Sequence, residues 1–301
     1  MIVLNEEKEL VRVESWDEII GRPGFTNNLD PNEHELSKII GQYAFSDKIA
    51  CGLSNCHTPH ARGYLVATKS GQETNIGKDC GKSYFGVDFV DLATQFDRDM
   101  RDKEARERLW SFSFKLDEIK ATIRDLREGE NGADRLYRRT RPLVEPGKQV
   151  PLSVIRRIAN MLKTGDSSLS IDREATKHEV EMEEARLGRK LTKPLFVSEK
   201  ISDIRAIEAL DQANDLRQIL IIDLEENIKA FEPMDIDSMT SKQLLEWSKW
   251  VGTVEQRLDT ARHSLELARA LLKRSNLSSF MQIIENTDER EEFNNYLNSL
   301  P

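Results

Sequence analysis

Cys51-Gly-Leu-Ser-Asn-Cys56-His57-Thr-Pro-His60 opens a stretch that closes on Cys80 and holds every cysteine of the chain. Two of the five histidines, His57 and His60, lie inside it. Three cysteines cannot all pair with one another. Residues 1–12 are too acidic and too briefly apolar to read as an export signal, so a disulfide framework is not expected. Thiolate and imidazole together suit zinc, which takes four donors at tetrahedral corners and contributes folding free energy when the site closes. Cys51, Cys56, His60 and Cys80 are the expected ligands of one Zn2+. His57 is the alternative imidazole, but it adjoins Cys56 and would have to fold back to reach the same ion. The competing reading is that three buried thiols and two surface histidines merely fall close together in sequence.

Between Cys56 and Cys80, Gly63-Tyr-Leu-Val-Ala-Thr68 and Glu73-Thr-Asn-Ile76 are β-prone runs joined across Lys69-Ser-Gly71-Gln, the pattern of a hairpin. Cys80-Gly-Lys-Ser83 follows as a helix start. Residues 51–86 therefore resemble treble-clef zinc fingers, in which a cysteine knuckle precedes a hairpin and a helix whose first turn completes the site. The resemblance implies a knuckle at Cys51–Cys56, a hairpin from Tyr64 to Ile76 and a ligand at Cys80. It departs from the group in its knuckle spacing of four rather than two, and in a helix with one cysteine where two are usual. His60 then supplies the missing donor. The group includes nucleic-acid binders, protein binders and a few enzymes, so it leaves function open.

Outward from this stretch the sequence reads as helical. Asp30-Pro31 can open a helix with Leu36, Ile39 and Ile40 on its buried side. Phe112, Leu116, Ile119, Ile123 and Leu126 keep one apolar seam. Residues 172–190 are highly charged and read as a helix or an arm. Leu216, Leu220, Leu224, Ile228 and Phe231 mark a long helix from about Ser198. Thr240-Ser-Lys-Gln243 fits a capping box. Beyond it Leu244, Trp247, Val251, Val254, Leu258, Ala261, Leu265, Ala268 and Leu272 alternate steps of three and four. These last helices read as an antiparallel hairpin whose seam calls for cover from another helix or a second copy of the chain, so self-association through this region is expected.

The chain has 301 residues, of which 38% are hydrophobic and 32% charged. The low apolar share favours solvated helices over a thick β core. No apolar run approaches the length of a membrane span, and a cytoplasmic protein without a membrane partner is expected. The net charge of −9 is uneven: residues 1–50 and 199–301 are acidic, while residues 101–198 are mildly basic around Arg135, Arg138, Arg139 and Arg141. That balance argues against a protein that simply coats nucleic acid, but not against a local contact. Arg62, Lys69, Lys78 and Lys82, interleaved with Tyr64, Tyr84 and Phe85, form a second candidate anion-binding surface, against the favoured reading that these aromatics cover the small metal-centred core.

Patterns that would carry catalysis fall short. Gly77-Lys-Asp-Cys-Gly81-Lys82-Ser83 has one residue too few for a phosphate-binding loop, and no strand–helix series follows it. His34-Glu35 lacks the second histidine of a zinc-protease helix. No catalytic residues are expected, and Cys3His fills a structural shell. The expected architecture is mostly α: an N-terminal helical or irregular segment (1–50), a zinc-stabilised β-hairpin module (51–86), a mildly basic helical region (87–195) and an acidic antiparallel coiled-coil hairpin (196–301). The expected function is non-enzymatic binding of a protein partner through the zinc module and the helices. The alternative is a nucleic-acid accessory protein that contacts DNA or RNA through the zinc module and Arg135–Arg141.

Overall fold

A computed structural model describes residues 1–5, 10–192 and 194–300, and these divide into two compact units. The first comprises Met1–Ser113 and Asp235–Val251, the second Phe114–Met234 and Gly252–Pro301.

The first unit is built on a five-stranded antiparallel sheet of β1 (Ile2–Asn5), β2 (Leu10–Val13), β3 (Leu36–Ala50), β4 (Pro59–Thr68) and β5 (Glu73–Ile76), in the order β2-β1-β3-β4-β5. Side chains alternate between its faces. Val3, Ile39, Tyr64, Val66 and Ile76 pack with Phe89, Ala93, Phe96 and Met100 of the helix after β5. Ile2, Leu4, Tyr43 and Leu65 form a second cluster with Ile19. Ile19 lies in the short helix α1 (Trp16–Ile20), which Ser15 and Glu18 close with a capping box. Trp16 stands against Phe25, Tyr43 and Phe45 at centroid distances of 5.1–6.1 Å. Burial on both faces gives this sheet a core of its own.

Helix α2 (Lys78–Ser113) crosses the first face and is kinked at Gly86, whose φ of +61° and ψ of −135° are not helical. The kink folds Phe89 back over the first turn. A Cβ on Gly81 would lie 2.4 Å from the Phe89 ring, so this approach requires glycine. Gly81 thus serves packing rather than a phosphate loop. The helix Ser241–Val251 also belongs to this unit, with Trp250 edge-on to Phe112 at 5.4 Å.

The second unit is mainly helical. It contains α3 (Leu116–Glu128), α4 (Ala133–Thr140), α5 (Leu152–Thr164) and an antiparallel pair, β6 (Ser168–Glu174) and β7 (Phe196–Asp203), with α6 (Lys177–Leu187) between them. The helical run Gln218–Phe231 begins as a π-helix, and Val254–Leu271 and Thr287–Asn298 complete the set. Arg127 holds Asp134 through two bonds of 3.0–3.1 Å and also pairs with Glu225.

The mostly α expectation is overturned: the protein is mixed α and β, with a five-stranded sheet in place of a lone hairpin. The hairpin does form, as β4–β5, but at one side of that sheet. Leu36–Ala50 is a strand, not a helix, because pairing with β1 and β4 outweighs its local pattern. Register shifts at Leu36/Lys38, Ile39/Gly41 and Ala44/Ile49 interrupt the strict alternation that would have marked it. The coiled-coil hairpin is absent too. Phe196–Asp203 is a strand, and the nine-position seam breaks at Gly252-Thr253, so its two parts lie in different units. All nine seam residues are buried or half-buried within the single chain, Trp247 and Val251 being the half-buried two. Among the described residues, no helix is long and apolar enough to cross a membrane.

Candidate metal centre

Backbone bonds shape the knuckle. The amide of Cys51 donates to Thr58 O (3.1 Å) and that of Cys56 to Leu53 O (3.1 Å), which turns the chain so that both side chains emerge on one side. The Gly52 amide donates to Asn75 O (2.8 Å), tying the knuckle to β5. A Cβ on Gly52 would meet Thr74 Oγ1 at 2.1 Å and Asn75 Oδ1 at 2.9 Å, so only glycine fits there. Cys80 arrives from the first turn of α2, where the Gly81 amide bonds Gly77 O. The hydroxyl of Tyr84, one turn on, donates to Asn55 O (3.1 Å) and joins helix to knuckle.

These constraints bring Cys51, Cys56 and Cys80 together, with their sulfurs all within 4.8 Å of one another. Cys56 Sγ is 3.5 Å from Cys80 Sγ and 3.4 Å from Thr58 Oγ1. Cys51 is buried, while Cys56 and Cys80 are half-buried at the mouth. Sulfurs at tetrahedral corners about 2.3 Å from a metal ion lie about 3.8 Å apart, and the trio matches that scale. It is close enough to hold a metal ion.

Without a cation the three thiols differ. Burial pushes the Cys51 thiol up to about 12, and burial likewise raises Cys80. Burial also works against ionisation of Cys56, but bonds from the Thr58 side chain and backbone and from the two neighbouring thiols outweigh it and bring Cys56 down to about 7. Each thiolate raises the cost of the next. Only a bound cation reverses that opposition for all three.

His60, the fourth ligand read from spacing, is not within the trio. It sits on β4 with Nδ1 2.8 Å from the Tyr43 hydroxyl, while Nε2 is buried with no hydrogen-bond partner among the described residues. Burial holds its pKa below the usual imidazole value, which favours the neutral ring that metals bind. The Tyr43 hydroxyl also accepts from Asn75 Nδ2 (3.3 Å), which in turn donates to Ala50 O (2.9 Å). His57 does fold back. Its φ is +48° and its Nδ1 is 3.1 Å from Cys51 O, outside the trio and exposed. The sequence alone does not single out Tyr43, Asn75 or Thr58. Tyr43 lies in the strand whose pattern is interrupted, and nothing local marks Asn75 or Thr58.

The basic candidates separate. Arg62 and Lys78 line a cavity of about 340 Å³ with Gln42, Tyr43 and Tyr64, and among the described residues no carboxylate lines it. Lys82 is exposed and not part of that lining. Arg135, Arg138, Arg139 and Arg141 belong to the second unit; the first three share α4, where burial and then the neighbouring charges of Arg135 and Arg138 lower the Arg139 pKa. Arg135 and Arg138 are exposed and bond the carbonyls of Glu130 and Asp134. Arg139 is half-buried, its carbonyl accepting from the Tyr296 hydroxyl (2.8 Å). Arg141 pairs with Glu145 and lies 5.2 Å over the Tyr137 ring. No family model matches this chain, and neither curated proteins nor solved structures yield a match.

Proposed function

We propose that the first unit carries one structural zinc ion, held by Cys51, Cys56 and Cys80 with His60 as fourth donor, and that the protein is a non-enzymatic binding protein for a macromolecular partner. The observation that carries the metal reading is three sulfurs, from a knuckle and a helix start, gathered within 4.8 Å of one another. His60 fits the fourth position by its chemistry. A ligating histidine is usually oriented through its other ring nitrogen, and here Nδ1 bonds Tyr43 while Nε2 is left buried without a partner. In the tautomer with its proton on Nδ1, the ring donates to Tyr43 and keeps the Nε2 lone pair for the ion. The order of knuckle, hairpin and helix keeps the likeness to treble-clef fingers as part of this reading.

Zinc there fixes the start of α2, beyond which three apolar residues stand exposed among Lys82, Asp88 and Asp91: Tyr84 is 38% exposed, Val87 73% and Val90 40%. Exposed apolar groups beside a rigid element suit a protein partner. A nucleic-acid reading remains as the alternative, favoured by the cavity that Arg62 and Lys78 line with Tyr43 and Tyr64. Zinc analysis of protein purified without added metal tests the centre, with about one ion per chain expected. Gel shifts at two salt concentrations test the alternative, because phosphate contacts weaken steeply as salt rises. Retention that falls with salt and is lost in Arg62→Glu/Lys78→Glu favours nucleic acid. No retention at low salt removes that reading.

A further inference from the structure

Cys56 and Cys80 are both open to solvent where Cys51 is not. Their sulfurs are 3.5 Å apart, in contact, and both side chains are half-buried at the mouth. Cys51 is 1% exposed. One cysteine comes from the knuckle and the other from the first turn of α2, so a bond between them closes onto two segments already joined by the Tyr84–Asn55 contact.

We propose that Cys56 and Cys80 form a reversible disulfide on exposure to a hydroperoxide, and that its formation expels the metal. The inference rests on the zinc reading for its consequence, though not for the bond itself. One of the two sulfurs, as thiolate, attacks a hydroperoxide oxygen: the S–O bond forms, the O–O bond breaks, and water or an alcohol leaves, giving a sulfenic acid. The second thiol attacks that sulfur: the S–S bond forms, the S–O bond breaks, and water leaves with the thiol proton. Two electrons pass from the sulfur pair to the hydroperoxide. A neutral disulfide no longer serves as two thiolate donors, so Cys51 and His60 alone remain to the ion. The start of α2, and with it Tyr84, Val87 and Val90, is then held by a covalent bond of different geometry. Binding through that face becomes sensitive to oxidant.

The test uses the full chain as purified, treated with hydrogen peroxide in small molar excess and then with dithiothreitol. Free thiols are counted, released zinc is read with a chromophoric indicator, and tryptic peptides are weighed. Trypsin leaves Cys51 and Cys56 together on residues 49–62 and Cys80 on residues 79–82, so fragmentation of the linked pair assigns the bond. The expected result is loss of two of three thiols, release of one zinc per chain, a Cys56–Cys80 link with Cys51 still a thiol, and recovery of all three thiols on reduction. Sulfinic or sulfonic acids on unlinked peptides overturn the proposal, as does a link made through Cys51 or oxidation that leaves zinc bound. Protein that carries no zinc before treatment contradicts the metal reading instead. The peptide masses then still decide whether the pair bonds.

Discussion

The segment from Cys51 to Cys80 and the helix Val254–Leu271 each contribute buried residues to a core, and different physics holds them. The helix buries Val254, Leu258, Ala261, Leu265, Ala268 and Leu271, all at 2% exposure or less, and needs nothing from outside the chain. Each such side chain contributes roughly 1.5–3 kcal/mol when a large aliphatic group leaves water. Around Cys51 the buried set includes a thiol, Thr74 and Asn75, with an unpartnered imidazole nitrogen nearby. Such groups stabilise a fold only when their charges and lone pairs are satisfied. The knuckle and the start of α2 are therefore expected to depend on a ligand, and the helix Val254–Leu271 to stand on packing.

The strongest way to break that comparison is to remove the ion. Cys80→Ser, or a chelator, should take zinc content from about one per chain to near zero. Structural zinc sites contribute on the order of 10 kcal/mol in small domains, so amide protection in residues 51–86 should collapse. Protection along Val254–Leu271 should not change. Equal loss in both places would show that the units do not differ in this way.

The converse change is next in size. Val254→Asp puts an unpaired carboxylate into a site that is 1% exposed and should cost about 4 kcal/mol. Denaturant unfolding reads the cost, and zinc content should stay at one per chain. Because the seam is covered within the chain, the wild-type protein should also show no mass change by light scattering over a hundredfold dilution that is attributable to this helix. Recovery of a monomer from an oligomer on Val254→Asp would restore the shared seam.

How much of this the residues disclose depends on what kind of constraint each one obeys. Cys51, Cys56 and Cys80 are legible because few roles use three thiols at such spacing in a chain with no others, and the structure does gather them. Gly63–Thr68 and Glu73–Ile76 are legible because alternation and a short turn are local. The capping box at Thr240 and Gln243 is local as well, and both of its bonds form, at 3.0 and 3.4 Å. Leu36–Ala50 is not legible, because its partners β1 and β4 are distant in sequence and its bulges erase the period. The seam from Leu244 to Leu272 marks residues that become largely buried, but periodicity does not say against what. It continues across Gly252 although the helix does not. Phe112 and Leu116 likewise share a seam on paper, yet α2 ends at Ser113 and α3 begins after it.

Smaller effects sharpen the same contrast. Gly81→Ala would drive a methyl into the Phe89 ring and should cost roughly 1–3 kcal/mol in the first unit, read as a lower unfolding midpoint with zinc retained. In the second unit, Arg173 and then Thr176 hold the Glu179 carboxyl down at about 2. A depressed carboxyl adds stability above its ordinary value near 4.5, and that contribution fades as pH falls through about 2. Protection of α6 should therefore decline over that range, modestly because the pair is exposed, and Glu179→Gln should flatten the decline. An unchanged profile in that variant would assign the pH dependence elsewhere.

The most direct measurement is X-ray absorption at the zinc edge on the full chain, purified without added metal. The account predicts about one zinc per chain with three sulfur donors near 2.3 Å and one nitrogen near 2.0–2.1 Å. Protein that is folded and free of zinc, or zinc bound by oxygen and nitrogen alone, would contradict it.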